Sequence, residues 1–353
     1  MRAAVLISSA RTNGMDCATP SVVGPADWRL EHPACDYCGT DRAQVLLTGR
    51  DRLHGLPGEF RVVTCAECGL ARTDPRPAAE SLAAAYPDEY GPHQGEAIRA
   101  RRPRGLLRWA LVNFRGYPMG RKWPAPLRML GSLPAWAVLR RRRALRYLPF
   151  VGEGRLLDYG CGAGGYVATM AAAGWRAEGM DLSDAAVATG REAGLTLHQG
   201  TLPGARLPAG SFDAVTMWQV IEHVPSPMAT LRASRELLRP GGLLLVACPR
   251  IDSLPARWFG RFWHDLDLPR HLWHFSLATL TRHMESAGLE VVRSWAVRRP
   301  SGIRRSFAFL AAESGKGVHR LLARSRAAVG MMTCLALAAR RTAQMYVLAR
   351  RPE

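Results

Sequence analysis

From about residue 151 onward, short apolar runs alternate with longer stretches of helical spacing. Runs of this length are typical of buried strands, and the alternation predicts a parallel α/β sheet. The runs predicted as strands are "RLLDY", "RAEGMD", "LTLHQ", "FDAVTM", "GLLLVAC", "LEVVRSWAV" and "QMYVLAR".

Polar residues between these runs mark helix ends. A first helix is predicted over 166–173, and Ser183 caps a second one with Asp184 in its first turn. Ser226 followed by proline starts a third helix, which stops at "RPGG". A fourth helix begins at Ser276 and ends near Ala287.

The same patterns divide the chain into four segments. Residues 1–30 form a flexible extension, 31–76 hold paired cysteines, and 77–150 form a basic, partly helical connection that includes "VLRRRRALRYL". Residues 151–353 form the α/β domain. An insertion at 299–341 separates its last two strands and is far longer than a usual loop.

Composition adds an unusual charge. The 353 residues are 48% hydrophobic and 22% charged, as in ordinary globular proteins. The net charge is nevertheless +19, and 46 of the 48 cationic side chains are arginine. Mutational drift in a GC-rich genome, giving a solvated arginine surface, is one explanation. A nucleic-acid or anionic-membrane partner is the alternative.

The apolar runs and the cysteines indicate where in the cell the protein is located. No run reaches the roughly 18–20 apolar residues that span a bilayer, and the first residues lack a cleavage context. Eight cysteines without a disulfide pattern favour a reducing cytoplasm. In 299–341 basic clusters alternate with apolar runs such as "AAVGMMTCLALAA", which predicts helices packed on the core or lying on an anionic membrane surface.

Two cysteine pairs, each followed by glycine, stand 26 residues apart: Cys35-x-x-Cys38 and Cys65-x-x-Cys68. Two such knuckles place four thiolates around Zn²⁺, and the glycines allow the tight turns. Because cysteine fills all four positions, the predicted zinc site is structural.

The segment "LLDYGCGAGGY" raises the question of a cofactor. Gly160, Gly162 and Gly165 match G-x-G-x-x-G, a pattern of dinucleotide-binding loops. Asp158 stands two residues before the first glycine, where a carboxylate would repel a pyrophosphate. The same carboxylate suits the ammonium group of S-adenosylmethionine, which has no phosphate. Asp181, at the end of the next strand, can bind the ribose hydroxyls of either cofactor.

The ordered motifs "LLDYGCGAGG", "AEGMDLS", "FDAVTMWQVIEHV" and "LLRPGGLLLV" resemble those of class I S-adenosylmethionine-dependent methyltransferases, over roughly 150–298 plus the final strand. The resemblance implies a Rossmann-like seven-stranded sheet whose last strand is antiparallel. It also implies a set of cofactor-binding residues: Asp158, Gly160, Cys161, Gly162, Gly164, Asp181, Leu182, Trp218 and Gln219. The family often has an acid near the adenine, where this chain has Thr201 and Leu202.

The N-terminal pattern "CGLARTDPRP", followed by "YPDEY", is similar to zinc-ribbon members of that superfamily. Such members are associated with glycan or natural-product pathways. The resemblance implies a small zinc ribbon before the catalytic domain.

Catalytic candidates follow two predicted strands. Methyl transfer needs a positioned acceptor, and a general base where the acceptor loses a proton. Glu222 and His223 follow the fourth strand, and "WHDLDLPRHLWHFS" follows the fifth. We expect His271 to be the base, with His223 as the second candidate or a helix cap; His274 is expected to be structural.

Ubiquinone O-methyltransferases resemble the chain at the fourth strand, where they carry a metal-associated E-x-x-E-H. Gln219 replaces the first glutamate here, which argues against a catalytic metal. The Asp/Asn-Pro-Pro-Tyr motif of amine N-methylating enzymes is absent, and Cys248 is expected to lie in the core.

Three functions remain open at this point. The first is O-methylation of a small-molecule, glycan or lipid-linked acceptor. The second is RNA methylation by way of the zinc ribbon and the arginines, which the scarcity of aromatic residues among the basic clusters disfavours. The third is cofactor binding without catalysis. The sequence does not decide the oligomeric state.

Overall fold

A computed structural model describes residues 28–86, 98, 100–139 and 144–353. Most of the predicted extension, and residues 140–143 of the basic segment, lie outside the described residues. The strands are β1 (Leu30–Glu31), β2 (Ala43–Gly49), β3 (Phe60–Cys65), β4 (Ala71–Thr73), β5 (Arg76–Pro77), β6 (Arg155–Tyr159), β7 (Arg176–Asp181), β8 (Leu197–Gln199), β9 (Phe212–Trp218), β10 (Leu238–Pro249), β11 (Trp273–His274), β12 (Glu290–Val297) and β13 (Gln344–Arg350).

Helices join most of these strands, and several begin with the caps predicted from the sequence. The side chains of Ser183, Ser226 and Ser276 accept hydrogen bonds from the backbone amides three residues later. The helices are α1 (Ala79–Leu82), α2 (Gly105–Phe114), α3 (Ala125–Leu130), α4 (Ser132–Leu139), α5 (Gly165–Ala171), α6 (Asp184–Glu192), α7 (Pro227–Leu237), α8 (Leu254–Phe259), α9 (Leu277–Ser286), α10 (Pro300–Ser314), α11 (Gly317–Arg324) and α12 (Arg326–Ala338).

The central sheet has seven strands in the order β12-β13-β10-β9-β6-β7-β8. Strands β8, β7, β6, β9 and β10 pair in parallel, whereas β13 is antiparallel to both of its neighbours. The predicted seven-stranded sheet with an antiparallel last strand is therefore confirmed. Its strands are apolar on both faces because helices and loops cover both: Leu157 packs into one core cluster and its neighbour Leu156 into another.

Two helix ends differ slightly from their predicted positions. Helix α5 begins at Gly165, one residue before the predicted start. Helix α7 ends at Leu237, and the "RPGG" predicted as its stop belongs to the irregular start of β10, where the pairing with β9 shifts register between Leu238 and Leu243. The glycines allow the backbone to turn here, and they remain part of β10.

The cysteine-rich segment forms a second sheet, with the strand order β11-β4-β3-β2. Strand β11 has only two residues and comes from the loop after β10, so the α/β domain completes this sheet. The backbone amide of Thr73 in β4 also donates to the carbonyl of Leu272. The two parts of the chain therefore share hydrogen-bonded structure, which the sequence patterns did not predict.

The insertion forms α10, α11 and α12. Helix α10 packs on the core: Ile303 and Phe307 are buried, and the Phe307 ring lies edge-on to Phe259, with 4.8 Å between centroids. Within the described part of the chain, no single helix has the length and apolarity to cross a membrane. Helices α11 and α12 would meet that criterion only as a pair, and they are bent by 73°.

Candidate active site

The glycine loop lies between β6 and α5, at the carboxyl end of the sheet. Gly160 and Gly164 have φ values of +73° and +86°, which residues with a Cβ rarely adopt. A Cβ at Gly160 would lie 2.3 Å from Val220, and one at Gly164 would lie 2.6 Å from Leu195. The loop therefore needs these glycines for its own packing, and it lies directly against the segment that follows β9.

Asp158 lies within the sheet, beneath this loop, and is only 2% exposed. Its carboxylate accepts a hydrogen bond from the Thr216 hydroxyl at 2.6 Å. Burial raises the pKa of Asp158 to about 7, and the nearby Asp181 adds to the rise. A cation bound beside this carboxylate would favour its ionised form.

Asp181 stands at the end of β7, as predicted. Its two oxygens accept hydrogen bonds from the backbone amides of Gly162 at 2.7 Å and Ser183 at 2.9 Å. These bonds fix the loop to the second strand, and each oxygen keeps a lone pair for a ligand hydroxyl. Leu182 follows it and is 70% exposed, so an apolar surface is open beside the acid.

Three other residues implied as cofactor ligands have side chains in contact with the protein itself. The thiol of Cys161 lies against Gly179, and the ring of Trp218 packs between two tyrosines. Gln219 has a φ of +60°, and its amide donates to the carbonyl of Ala247 and accepts from Gln344. These contacts hold the three side chains in place, and all three residues are half-buried.

Glu222, His223 and His271 come together beside the glycine loop. One side-chain ligand atom from each lies within 4.8 Å of the others. The loop that carries His271 is held there because the amides of Leu272 and Trp273 both donate to the carbonyl of Glu222. Of these three residues, only the two histidines were predicted from the sequence to act as the base.

Backbone carbonyls orient both imidazoles. The Nδ1 atom of His271 lies 3.0 Å from the carbonyl oxygen of Asp265, and that of His223 lies 3.0 Å from the carbonyl oxygen of Arg270. Because a carbonyl only accepts, we assign the proton of the His271 ring to Nδ1, which leaves a lone pair on its Nε2. Burial, together with the nearby His223, lowers the pKa of His271 well below its usual range, so its ring is neutral.

Glu222 is fully buried, and neither oxygen of its carboxylate has a hydrogen-bond partner on any other described residue. Burial raises its pKa to about 8. A buried carboxyl group without partners is costly, and functional sites are where such groups collect.

Tyr86 is a site residue that the sequence analysis missed. Its hydroxyl lies 2.9 Å from Nδ1 of His223. It is the first residue of the "YPDEY" pattern, whose remaining residues lie outside the described structure. That pattern was the available signal, but nothing local indicated contact with a residue 137 positions away.

The other histidines of the loop after β10 serve the structure. The Nε2 atom of His274 lies 3.1 Å from the hydroxyl of Thr73, and burial lowers the pKa of His274 to about 3. The backbone amide of His264 donates to Ser306 of α10, which ties the insertion to the same loop.

The four predicted metal-binding cysteines also come together. The Sγ atoms of Cys35 and Cys68 are 3.4 Å apart, those of Cys38 and Cys65 are 3.5 Å apart, and all four lie within 4.8 Å. Thiolates around a tetrahedral zinc with bonds of 2.3 Å would be separated by about 3.8 Å. The cluster therefore has the donor atoms and the spacing that zinc requires.

Known proteins match the central part of the chain. Residues 136–294 match the family model described as a methyltransferase domain. A ubiquinone biosynthesis O-methyltransferase of Xanthomonas axonopodis pv. citri is 40% identical over 152 residues, which cover 39% of this chain and 63% of that protein. The protein of the same name from Aromatoleum aromaticum is 42% identical over 95 residues, 25% of this chain and 41% of that protein. The chain thus spans less than two thirds of these relatives.

Among solved structures, an S-adenosylmethionine-dependent methyltransferase from Mesorhizobium loti aligns with 61% of this chain and 97% of its own. The two are 22% identical, and the TM-score is 0.42.

Proposed function

We propose that this chain, which contains a methyltransferase domain over residues 136–294 as its motifs predicted, transfers the methyl group of S-adenosylmethionine to an oxygen of a small-molecule acceptor. The observation that carries the proposal is the cluster of Glu222, His223 and His271 beside the glycine loop. The names of the relatives support O-methylation, and we carry over that reaction type without their acceptor.

The cofactor would lie over the glycine loop. The Asp158 carboxylate suits the ammonium group, and Asp181 keeps lone pairs for the ribose hydroxyls. The exposed Leu182 offers an apolar contact for the adenine. These three residues stand at the carboxyl ends of β6 and β7, where open α/β sheets bind ligands.

In the reaction, the acceptor oxygen attacks the methyl carbon and the carbon–sulfur bond breaks. Its electron pair stays on sulfur, which loses its positive charge. The acceptor proton moves to Nε2 of His271, with His223 as the second candidate base. The protein's main contribution is to hold the acceptor at attack distance.

A divalent cation fits the same cluster. The Glu222 carboxylate, which has no hydrogen-bond partner on another described residue, and one ring nitrogen of each histidine form a donor set of the kind that binds such ions. Gln219 is not part of it, because its side chain is bound to Ala247 and Gln344. His271 would supply a third ligand in place of the glutamate that Gln219 replaces. A bound cation would lower the pKa of an acceptor hydroxyl.

The cysteine cluster would hold one structural zinc ion through Cys35, Cys38, Cys65 and Cys68. No open coordination position remains once four thiolates bind, so the ion would stabilise the second sheet and take no part in the chemistry. Thiolate ligands persist in a reducing compartment, which is consistent with a cytoplasmic location.

The test is to supply labelled S-adenosylmethionine and fractionated cell extract to the wild-type protein, to His271→Asn and to His319→Asn, a surface control on α11. We expect label in the small-molecule fraction for wild type and control, and a loss of about 10²–10⁴-fold for His271→Asn with cofactor binding retained. Label in RNA would support the RNA alternative. Cofactor binding without any transfer would support a silent binding protein.

A further inference from the structure

Helices α2, α3 and α4 expose large apolar side chains on a surface that no other part of the described structure covers. Leu130, Leu133 and Met129 are 80%, 78% and 76% exposed, and Trp123, before α3, is also exposed. Single exposed leucines are normal, but a group of large apolar residues on adjoining short helices marks an interaction site. We call these exposed side chains the α2–α4 surface.

The sequence of the segment that carries this surface has charges of one sign. Residues 97–152 contain 14 Arg and Lys residues and no Asp or Glu, which leaves only +5 for the other 297 residues. Genomic drift towards arginine would act along the whole chain and would not remove every acid from one segment. Arg104, Arg108, Arg121 and Lys122 are exposed, and within the described residues none of them pairs with an acid.

We propose that the α2–α4 surface docks on an anionic lipid bilayer. Amphipathic helices that lie in a membrane interface combine exposed Leu, Met or Trp with surrounding cations. The apolar side chains enter the boundary between head groups and acyl chains, while the cations meet anionic head groups. The α2–α4 surface supplies both parts within one segment. This proposal does not depend on the methyl-transfer proposal.

Two other occupants fit the observations less well. A second copy of the chain would bring the same uncompensated positive charge against itself, which like-charge repulsion disfavours. A nucleic acid would satisfy the cations but would leave Leu130, Leu133 and Met129 facing phosphates and sugars in water.

The test is cosedimentation of the full-length protein with vesicles of phosphatidylcholine alone, or of phosphatidylcholine mixed with phosphatidylglycerol. We expect binding to the anionic vesicles only, weakened when salt rises from about 0.1 to about 0.5 M. Arg121→Gln with Lys122→Gln should lower partitioning about fivefold per charge removed, since each cation near the surface contributes about 1 kcal/mol. Leu130→Ser with Leu133→Ser should lower it by at least about tenfold.

The matched control is Leu321→Ser with Leu335→Ser, which removes two exposed leucines from the insertion helices α11 and α12. This variant should bind vesicles as wild type does. All variants should keep the wild-type melting temperature because the changed residues are exposed. The proposal is overturned if neither vesicle type binds the protein, or if only the control variant loses binding. A dimer in solution that Leu130→Ser with Leu133→Ser abolishes would also overturn it, as would salt-sensitive retention of RNA without vesicle binding.

Discussion

At the scale of single residues, Asp158 tests the cofactor assignment most directly. Its folded pKa of about 7 lies above that of an unfolded aspartate, so the free protein loses stability as pH rises towards 7 and this group ionises in its buried position. A cationic ligand binds the ionised form. We therefore predict that S-adenosylmethionine binds more tightly as pH rises through about 7, approaching tenfold per pH unit below it, as measured by calorimetry.

Substitution of the same residue gives a second, independent result. Asp158→Asn should weaken binding by about 1–3 kcal/mol, because a charge-assisted contact is lost, and should abolish the pH dependence. Asp184→Asn, an exposed acid in the first turn of α6, is the control and should behave as wild type. Binding of NAD by the wild-type protein, or an unchanged affinity in Asp158→Asn, would contradict the assignment.

Glu222 allows a separate test of the proposed cation. Because its carboxylate has no partner on another described residue, a bound divalent cation should satisfy it and stabilise the folded protein. We predict that Mg²⁺ or Mn²⁺ raises the melting temperature of the wild-type protein by several degrees. Glu222→Gln should remove the shift, and Glu178→Gln, at a carboxylate of β7 that lies 2.9 Å from Nε2 of His198, should keep it. Equal shifts in both variants would place the cation elsewhere.

These residues differ in how far the sequence could predict them. Asp158 lies in the strand just before the glycine loop, and Asp181 ends the next strand, so the order of elements along the chain was enough to predict their places. The grouping of Glu222 with His271, and of His223 with Tyr86, joins segments far apart in the chain. No periodicity encodes such contacts.

At the scale of elements, the strands and helix caps of the α/β domain were predictable because each depends on residues adjacent in sequence. Strand β11 was not: with two residues it shows no period, and it exists only because Trp273 and His274 pair with Arg72 and Ala71. The role of the glycines was also only partly predictable. Their positions indicated a close approach to a ligand, but Gly160 lies against Val220 of the protein itself.

A buried ion pair also joins the cysteine-rich segment to the loop after β10. Both terminal nitrogens of Arg270 donate to the Asp51 carboxylate, at 2.9 and 2.8 Å, with both side chains fully buried. Arg270 also donates to Asp267, so the removal of Asp51 leaves the buried guanidinium with one carboxylate partner instead of two. We predict that Asp51→Ala lowers the free energy of unfolding by about 1–3 kcal/mol. Urea denaturation would measure the loss.

A matched control exists on the surface. Glu80 pairs with Arg29 at 2.8 Å, but both side chains are largely exposed. Glu80→Ala should leave the denaturation midpoint unchanged, since water replaces the lost partner. If the two alanine variants lost the same stability, burial would not be the cause.

At the scale of the whole molecule, the cysteine-rich segment and the α/β domain act as one unit. The sequence suggested a separate small module, because the cysteine pairs and the strand pattern are distinct and lie far apart. In the structure, β4 pairs with β11, and the Thr73 hydroxyl donates to the carbonyl of His271 at 2.7 Å. The cysteine-rich segment therefore supports the loop that carries the proposed base.

This connection predicts a long-range effect of metal loss. Cys65→Ser should reduce zinc from about one ion per chain and loosen β3 and β4. Since β4 holds β11, amide hydrogen exchange should rise in peptides covering 264–275 as well as in 31–76, while the glycine loop at 155–166 stays protected. Affinity for S-adenosylmethionine should change little, whereas methyl transfer should fall. Cys334→Ser, at an exposed thiol in α12, is the control and should leave exchange unaltered. Faster exchange confined to 31–76 would mean that the loop carrying His271 holds its position without the zinc.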